Sequence, residues 1–202
     1  MPNASTSFFG WVAFLLQKYG MLFLRGTGMT LLIALTGTAL GFALGLLVAI
    51  IRTIALPEKK KAGSNAGVIV KRGLLRFVHM LMNVYIQVFR GTPMIVQAVV
   101  IYYGAQYAGV FMDTTFAAVF IISINTGAYM AEIIRGGIVS VDKGQFEAAH
   151  AIGMTHWQTM TTVVLPQAIR NILPSVGNEL IVNIKDSSVL NVISVSELFF
   201  QA

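Results

Sequence analysis

The sequence predicts an all-α, polytopic membrane helix bundle that forms a single transmembrane domain over residues 1–202. Of the 202 residues, 56% are hydrophobic and only 11% are charged, and the mean hydropathy is +0.75. Soluble domains carry about 25% charged residues, so this composition excludes an ordinary water-soluble monomer. The apolar content also excludes a disordered chain. The sequence contains no cysteine, which excludes disulfides, thiolate metal sites and cysteine nucleophiles.

The first predicted span covers residues 27–51. The 26 residues between Arg25 and Arg52 carry no charge, and about 20 apolar residues suffice to cross a bilayer. Residues 8–24 are rich in aromatic side chains with one charge, and they are predicted to form an interfacial helix that leads into this span. A secretory signal peptide is an alternative, although its apolar region would be only about 7–15 residues long.

The second and third predicted spans cover residues 76–104 and 114–135. Pro93 lies inside the second span and is expected to kink the helix, because proline removes a helical hydrogen bond and clashes with the preceding turn. The carbonyl groups that such a kink exposes need partners from neighbouring helices of a bundle.

The fourth predicted span covers residues 171–200. Its composition is apolar enough for a membrane helix, but it contains Glu179, Lys185 and Asp186. Because charged groups are costly inside a bilayer, hydropathy alone leaves this span undecided.

The basic residues predict the orientation of the chain. The loop between the second and third spans contains no Lys or Arg, so by the positive-inside rule the first loop is cytoplasmic and the N-terminus lies outside. The segment after Arg135 is then also cytoplasmic. A basic run can bind nucleic acid, but the flanking spans favour the topological interpretation, and no nucleic-acid partner is expected. The first loop carries Arg52, Lys59, Lys60, Lys61, Lys71, Arg72 and Arg76 against the single acidic Glu58.

The cytoplasmic residues 142–166 are predicted to form two short helices joined by a turn. The signals are two capping pairs, a glycine in a left-handed turn and a terminating proline: Asp142 with Gln145, Thr155 with Gln158, Gly153, and Pro166. The apolar faces of these helices need cover, either from the membrane interface or from a cytosolic partner with a groove. These faces consist of Phe146, Ala149, Ile152, Trp157, Met160 and Val164.

The same segment, EAAHAIGMTHWQTMTTVVLP, resembles the EAA signature of importer-type ABC transporter permeases. Three further stretches resemble the polar amino-acid branch of that family, the glutamine, histidine and arginine type: VFRGTPMIVQ at 88–97, NTGAYMAEIIRGGI at 125–138 and KDSSVLNVISVSEL at 185–198. The resemblance covers roughly residues 26–202. The positions that match the signature are Glu147, Ala148, Ala149, Gly153, Val163, Leu165 and Pro166.

The resemblance implies a type I ABC importer fold in the bacterial cytoplasmic membrane. In that family the EAA helix inserts into a groove of a cytosolic ATPase dimer, two permease chains pair as a homodimer or heterodimer, and an extracytoplasmic binding protein delivers the amino acid. ATP and magnesium then belong to the ATPase, so this chain is expected to bind no cofactor and to catalyse no reaction. Family members have a fifth span, so the sequence as given is expected to show four spans and lack the last.

Polar residues recur on one face of the second, third and fourth predicted spans, at the spacing i, i+4, i+7. They are Asn83, Gln87 and Arg90; Asn125, Tyr129 and Glu132; and Glu179, Asn183 and Asp186. A polar passage for a zwitterionic substrate is one interpretation, with Arg90, Asn125, Glu132, Glu179, Asn183 and Asp186 as its candidate residues. The alternative is hydrogen bonding and ion pairing between helices, for example Arg90 with Glu132.

The remaining features predict packing rather than chemistry. Gly37, Gly41 and Gly45 form a GxxxGxxxG face for helix packing. The three histidines lie too far apart in the sequence to predict a metal site. Other function classes are a channel or scaffold without nucleotide coupling, a permease for another substrate, and a membrane enzyme that uses Glu132 with Asp186. The RGTP and AEIIRGGI stretches favour amino-acid transport.

Overall fold

The computed structural model describes residues 7–53 and 66–201, and every regular element in these two ranges is a helix. A short π-helical turn precedes α7, and a 3₁₀ segment follows it. The elements are α1 (Phe8–Thr53), α2 (Ala66–Gly91), α3 (Met94–Tyr107), α4 (Thr114–Val139), α5 (Lys143–Ala151), α6 (His156–Gln158), the π turn (Thr159–Val164), α7 (Leu165–Asp186), the 3₁₀ segment (Ser187–Ile193) and α8 (Leu198–Gln201).

Helix α1 is a single helix of 46 residues. The sequence predicts a separate interfacial helix over 8–24 before a span over 27–51, and this division is wrong. No proline lies between the two predicted segments, and the two glycines there, Gly26 and Gly28, lower helix propensity by only about 1 kcal/mol each. The helix therefore continues through them.

The second predicted span, 76–104, is two helices rather than one kinked helix. Helices α2 and α3 are inclined at 113° to each other, and Pro93 stands between them with an extended backbone (φ −61°, ψ 140°). The predicted position of the bend is confirmed, but its size is far larger than a kink. Helix α2 also begins at Ala66, so the basic residues from Lys71 onward lie on a helix, whereas residues 58–61 of the predicted loop lie outside the described residues.

The core lies where α1 crosses α4. Gly37, Gly41 and Gly45 are buried against α4, as the GxxxGxxxG pattern predicts. A Cβ atom at Gly41 would lie 2.6 Å from the Cβ of Thr126, and one at Gly45 would lie 2.8 Å from the backbone nitrogen of Ala131. These close approaches require glycine, because real Cβ atoms do not approach other atoms so closely.

The fourth predicted span, 171–200, is wrong as a single helix. Helix α7 begins earlier, at Leu165, and ends at Asp186, where the 3₁₀ segment takes over. Among the described residues, α1 and α4 are long and apolar enough to cross a membrane, and the bent pair α2–α3 adds a third span if it is counted as one.

A buried carboxylate fixes the start of α8 against α1. Glu197 is 1% exposed, and its oxygens accept the backbone N–H groups of Phe199 at 2.8 Å and Phe200 at 2.9 Å. The hydroxyl of Thr30 on α1 donates to the same carboxylate at 3.4 Å and accepts the N–H of Leu198 at 3.1 Å. No local signal in the sequence predicts this contact, because it joins positions 167 residues apart.

Candidate functional site

Helix α5 begins with a side-chain cap. Asp142 Oδ1 accepts the backbone N–H of Gly144 at 2.6 Å, which confirms the predicted cap. The side chain of Gln145, predicted to complete a capping box, instead accepts a hydrogen bond from Gln167 at 3.4 Å. This contact joins α5 to α7.

The turn after α5 depends on glycine. Gly153 has φ +82°, in the left-handed region, and no atom lies within 4 Å of the position that a Cβ would occupy. Immediately after it, Thr155 and Gln158 form the predicted capping box. The N–H of Thr155 donates to Gln158 Oε1 at 2.9 Å, and the N–H of Gln158 donates to Thr155 Oγ1 at 3.3 Å. The turn is thus fixed on both sides of the glycine.

The second cytoplasmic helix does not end at Pro166, and that prediction is wrong. Helix α6 has three residues and continues through the π turn into α7 without a break. Leu165 is the first residue of α7, and Pro166 lies in its first turn. The N–H of Leu165 bonds to the Met160 carbonyl across the π turn, and Pro166, which has no N–H, follows where the bonding pattern changes from π to α.

The chain itself covers four of the six apolar residues of this segment. Ala149 and Val164 are buried, and Phe146 and Met160 pack against a small core formed by Val141, Val164 and Ala168. Ile152 is 79% exposed and Trp157 is 75% exposed, one on each side of the turn. The signature residues Glu147 and Ala148 are also exposed. The region around the turn at Gly153 therefore exposes one carboxylate, that of Glu147, and two large apolar side chains, those of Ile152 and Trp157.

The bend between α2 and α3 is stabilised by two buried amides. Gln97 Nε2 donates to the carbonyl oxygens of Phe89 and Thr92, each at 2.9 Å, and to the Thr92 hydroxyl at 2.8 Å. Asn125 Nδ2 on α4 donates to Gln97 Oε1 at 2.9 Å and to the Phe89 carbonyl at 3.3 Å. The carbonyls exposed at Pro93 therefore find partners within the bundle, as predicted.

Asn183 bonds three helices together. Its Nδ2 donates to Thr38 Oγ1 on α1 at 2.8 Å and to Thr126 Oγ1 on α4 at 2.9 Å. The side chain is 2% exposed. Asn183 and Asn125 thus form hydrogen bonds between helices. This is the alternative to a substrate passage that the sequence left open for these polar residues.

Glu132 forms ion pairs, but not with Arg90. One of its oxygens accepts from Arg52 at the end of α1, and the other accepts from Arg135 Nε at 3.0 Å and Nη2 at 2.9 Å. The predicted example, Arg90 with Glu132, is wrong. The guanidinium of Arg90 instead lies over the ring of Tyr129, 5.4 Å from its centroid.

The remaining candidate residues lie on α2 and α7. Asn83, Gln87 and Arg90 share the exposed face of α2. Glu179 on α7 is 8% exposed, and Asp186 is the last residue of the same helix. The structure places Asn125, Glu132 and Asn183 in the contacts described above.

Sequence reasoning missed several residues of these contacts. Gln97 could have been found from its position four residues after Pro93, which allows an amide to reach the exposed carbonyls. Arg52 was counted only for orientation, and its pairing with Glu132 joins positions 80 residues apart. Thr38 and Thr126 lie beside glycines in apolar helices and give no signal of their own.

Comparison with known proteins gives a family match over most of the chain. The family described as "Binding-protein-dependent transport system inner membrane component" matches residues 63–202. These residues include α2 to α8 and all of residues 142–166, the EAA segment.

Individual relatives agree with this match. The glutamine transport system permease protein GlnP of Escherichia coli strain K12 is 40% identical over 179 residues, covering 88% of this chain and 73% of the relative. The L-cystine transport system permease protein TcyB of Bacillus subtilis strain 168 is 39% identical over 165 residues, covering 82% and 64%. A solved structure described as an amino acid ABC transporter with histidines is 36% identical with a TM-score of 0.79, covering 98% of this chain and 81% of that one.

Proposed function

This chain belongs to the family of inner membrane components of binding-protein-dependent transport systems, and we propose that it imports a polar amino acid as one permease subunit of its importer. It is a membrane-embedded ABC permease subunit and not an enzyme, and ATP hydrolysis resides in a separate subunit. Its similarity to permeases for glutamine and for L-cystine, and to an amino acid ABC transporter, supports an amino-acid substrate.

The observation that carries the proposal is the construction of the EAA segment. Helix α5 and the turn at Gly153 are capped on both sides, and they hold Ile152 and Trp157 exposed while the base of the segment is packed. Two large exposed apolar side chains on a fixed turn suit a groove in a protein partner. In our proposal this end docks on the cytosolic ATPase, with Glu147 facing a basic residue there. A rigid element of this kind can transmit the nucleotide state to the membrane helices.

The proposed passage lies between α2, α4 and α7. A zwitterionic amino acid needs a cation for its carboxylate and an anion for its ammonium group. In our proposal Arg90 on α2 and the buried Glu179 on α7 supply these charges, with Asp186 two turns beyond Glu179 on the same helix, and Tyr129 on α4 holds the Arg90 guanidinium by a cation–π contact. Polar residues at membrane depth are functional candidates for this reason. Asn125, Glu132 and Asn183 would then support the helices that form the passage.

The assembly that we propose has the subunits expected of an importer in this family. A second permease chain, identical or related, completes the passage, and an extracytoplasmic binding protein delivers the substrate. The N-terminus lies outside and the EAA segment lies in the cytoplasm, because Lys and Arg are concentrated over residues 52–76, from the end of α1 to the first half of α2, whereas the connection between α3 and α4 has none. ATP and magnesium bind to the ATPase, while this chain contacts lipid.

A charge reversal at the exposed Glu147 tests the coupling assignment. Glu147→Lys is expected to abolish ATPase stimulation by substrate and binding protein, because the docking charge is inverted, while membrane insertion is unchanged. Glu147→Gln keeps the shape and is expected to retain part of the stimulation. The measurement is ATPase activity of the importer in proteoliposomes, with insertion checked by carbonate extraction. Normal stimulation in the Lys variant would refute the assignment and favour a channel or scaffold without nucleotide coupling.

A further inference from the structure

A cavity at the ends of α1 and α4 has no part in the proposed coupling segment or passage. Its volume is about 180 Å³, and it opens between the last turn of each helix. Its lining combines two guanidinium groups with apolar side chains: Ala49, Arg52, Thr53, Arg135, Ile138 and Val139. A cavity of mixed cationic and apolar character suits a ligand that has an anionic group attached to an apolar body.

Glu132 holds the two arginines in place. Its carboxylate binds Nη1 of Arg52 through one oxygen, and Nε and Nη2 of Arg135 through the other. Each guanidinium carries five N–H donors, so this pairing orients both groups without using most of their donors. The three side chains together carry a charge of +1. An anion that entered the cavity would meet donors from two helices that are already positioned.

The surroundings of the cavity indicate where such an anion comes from. Thr53 and Val139 end α1 and α4 on the side that the basic residues mark as cytoplasmic. Ile50 and Leu46 lie one and two turns away from this end on the face of α1 that carries Thr53, and they are 53% and 40% exposed. An apolar stripe thus runs from the cavity along α1 toward the middle of the bilayer. Acyl chains follow such a stripe.

We propose that this cavity binds the headgroup phosphate of an anionic phospholipid from the cytoplasmic leaflet, with its acyl chains lying along Leu46 and Ile50. Basic pockets between membrane helices on the cytoplasmic side bind anionic headgroups through the same combination of charge and burial. Arg52 and Arg135 supply the charge, and both belong to described contacts that already fix their positions. The site lies one short connection before α5, so a bound lipid would also brace the base of the EAA segment.

Charge changes at Val139 test the site without touching the ion pairs. Val139 is 69% exposed at the rim of the cavity, so substitutions there leave the helix contacts intact. The importer is purified in detergent and titrated with dioleoylphosphatidylglycerol or dioleoylphosphatidylcholine, and bound lipid is counted by native mass spectrometry. We expect preferential binding of phosphatidylglycerol, about fivefold weaker binding in Val139→Glu and stronger binding in Val139→Lys, since one charge beside an anionic headgroup has about this effect. Val139→Gln is the matched neutral control.

Several outcomes would overturn the proposal. Equal affinity for the two lipids, or equal affinity in the Glu and Lys variants, would show that the arginines do not bind a headgroup. Displacement of the lipid by an equal concentration of inorganic phosphate would show a site for small soluble anions instead. Loss of a co-purifying subunit in Val139→Glu, with lipid binding unchanged, would show that a protein surface covers the cavity. As a second variant, Arg135→Gln should weaken phosphatidylglycerol binding, whereas Arg170→Gln on the exposed face of α7 should not.

Discussion

The turn at Gly153 allows a substitution whose effect comes from the backbone alone. Its φ of +82° is a conformation that L side chains rarely adopt, yet a Cβ there would meet no atom within 4 Å. Steric clash with the rest of the chain is therefore absent, and the cost of a side chain is the cost of the left-handed conformation. The free-energy cost of this conformation should rise in the order Gly153→Asn, Gly153→Ala, Gly153→Val. Asn tolerates the left-handed region, whereas β-branched residues adopt it least readily.

The expected loss of ATPase coupling follows from the free-energy cost of this left-handed conformation alone. A left-handed conformation costs an ordinary L residue about 1–2 kcal/mol, which changes a two-state ratio by a factor of about 5–30. If the native turn becomes a minor conformation, the apparent affinity for the docking partner falls by the same fraction. We therefore expect substrate-stimulated ATPase activity to require up to about 5–30 times more ATPase subunit in Gly153→Ala than in the native chain. Gly153→Asn should be close to native, and Gly153→Val should be the weakest.

Gly109 provides a matched control at the opposite end of the bundle. It also has φ +82° with nothing within 4 Å of its Cβ position. The hydrogen bonds match as well: Gly109 donates to Gln106 at 2.9 Å, and Gly153 donates to His150 at 3.0 Å. Gly109→Val should therefore carry the same conformational cost without any loss of ATPase coupling.

The assay is ATPase activity in proteoliposomes that contain the permease, titrated with ATPase subunit at saturating substrate and binding protein. Thermal stability in detergent is measured in parallel. A ranking by side-chain size, with Asn worse than Ala, would refute the backbone explanation. Equal loss of coupling in the Gly109 and Gly153 variants would refute the docking role of the turn.

Three further changes test the bundle itself. Gly45→Ala should lower the melting temperature in detergent, because its Cβ would lie 2.8 Å from a backbone nitrogen of α4 and overpacking costs about 1–3 kcal/mol. The control is Gly28→Ala, whose Cβ would have no atom within 4 Å and which should leave the melting temperature unchanged. Gln97→Leu removes the amide donor of the Thr92 carbonyl and leaves the Phe89 carbonyl with Asn125 alone, at about 1–3 kcal/mol for a buried group left unpaired, and should speed hydrogen–deuterium exchange over residues 88–98. Asn183→Leu should cost about 1 kcal/mol of stability and leave the KM for substrate unchanged, because Asn183 bonds helices to one another. A raised KM would instead place Asn183 in the passage.

Local signals in the sequence predicted those parts of the site that depend on neighbouring residues. The caps at Asp142 and Thr155 and the left-handed Gly153 each involve residues within a few positions of one another, and all three are confirmed. The GxxxGxxxG face also follows from one helix alone, because only glycine allows such close approach. The resemblance to EAA permeases depends on the same kind of fixed spacing.

Features that depend on distant partners were not predictable. The sequence located the bend at Pro93, but its 113° angle depends on how Gln97 and Asn125 meet across α3 and α4. The pairing of Glu132 with Arg52 depends on the relative height of α1 and α4, which hydrophobic patterns do not define. Pro166 was misinterpreted for a related reason, since proline either follows a helix or begins one, and only the packing of α7 decides between the two.

Helices α4 and α7 are the elements that would carry the proposed motion of the EAA segment, and α4 has the wider set of contacts. Along its length it contributes Asn125 to the α2–α3 bend, Thr126 to the bonds of Asn183, and Glu132 to the pair with Arg52. Its C-terminal end reaches α5 through three residues, and the core of Val141, Val164 and Ala168 packs that end against the π turn and α7. Displacing α5 alone would open this core, whereas moving it together with the ends of α4 and α7 would not. In the proposed coupling, a force applied at the exposed turn would therefore reach the bend and the proposed passage as a rigid-body movement of α4 and α7.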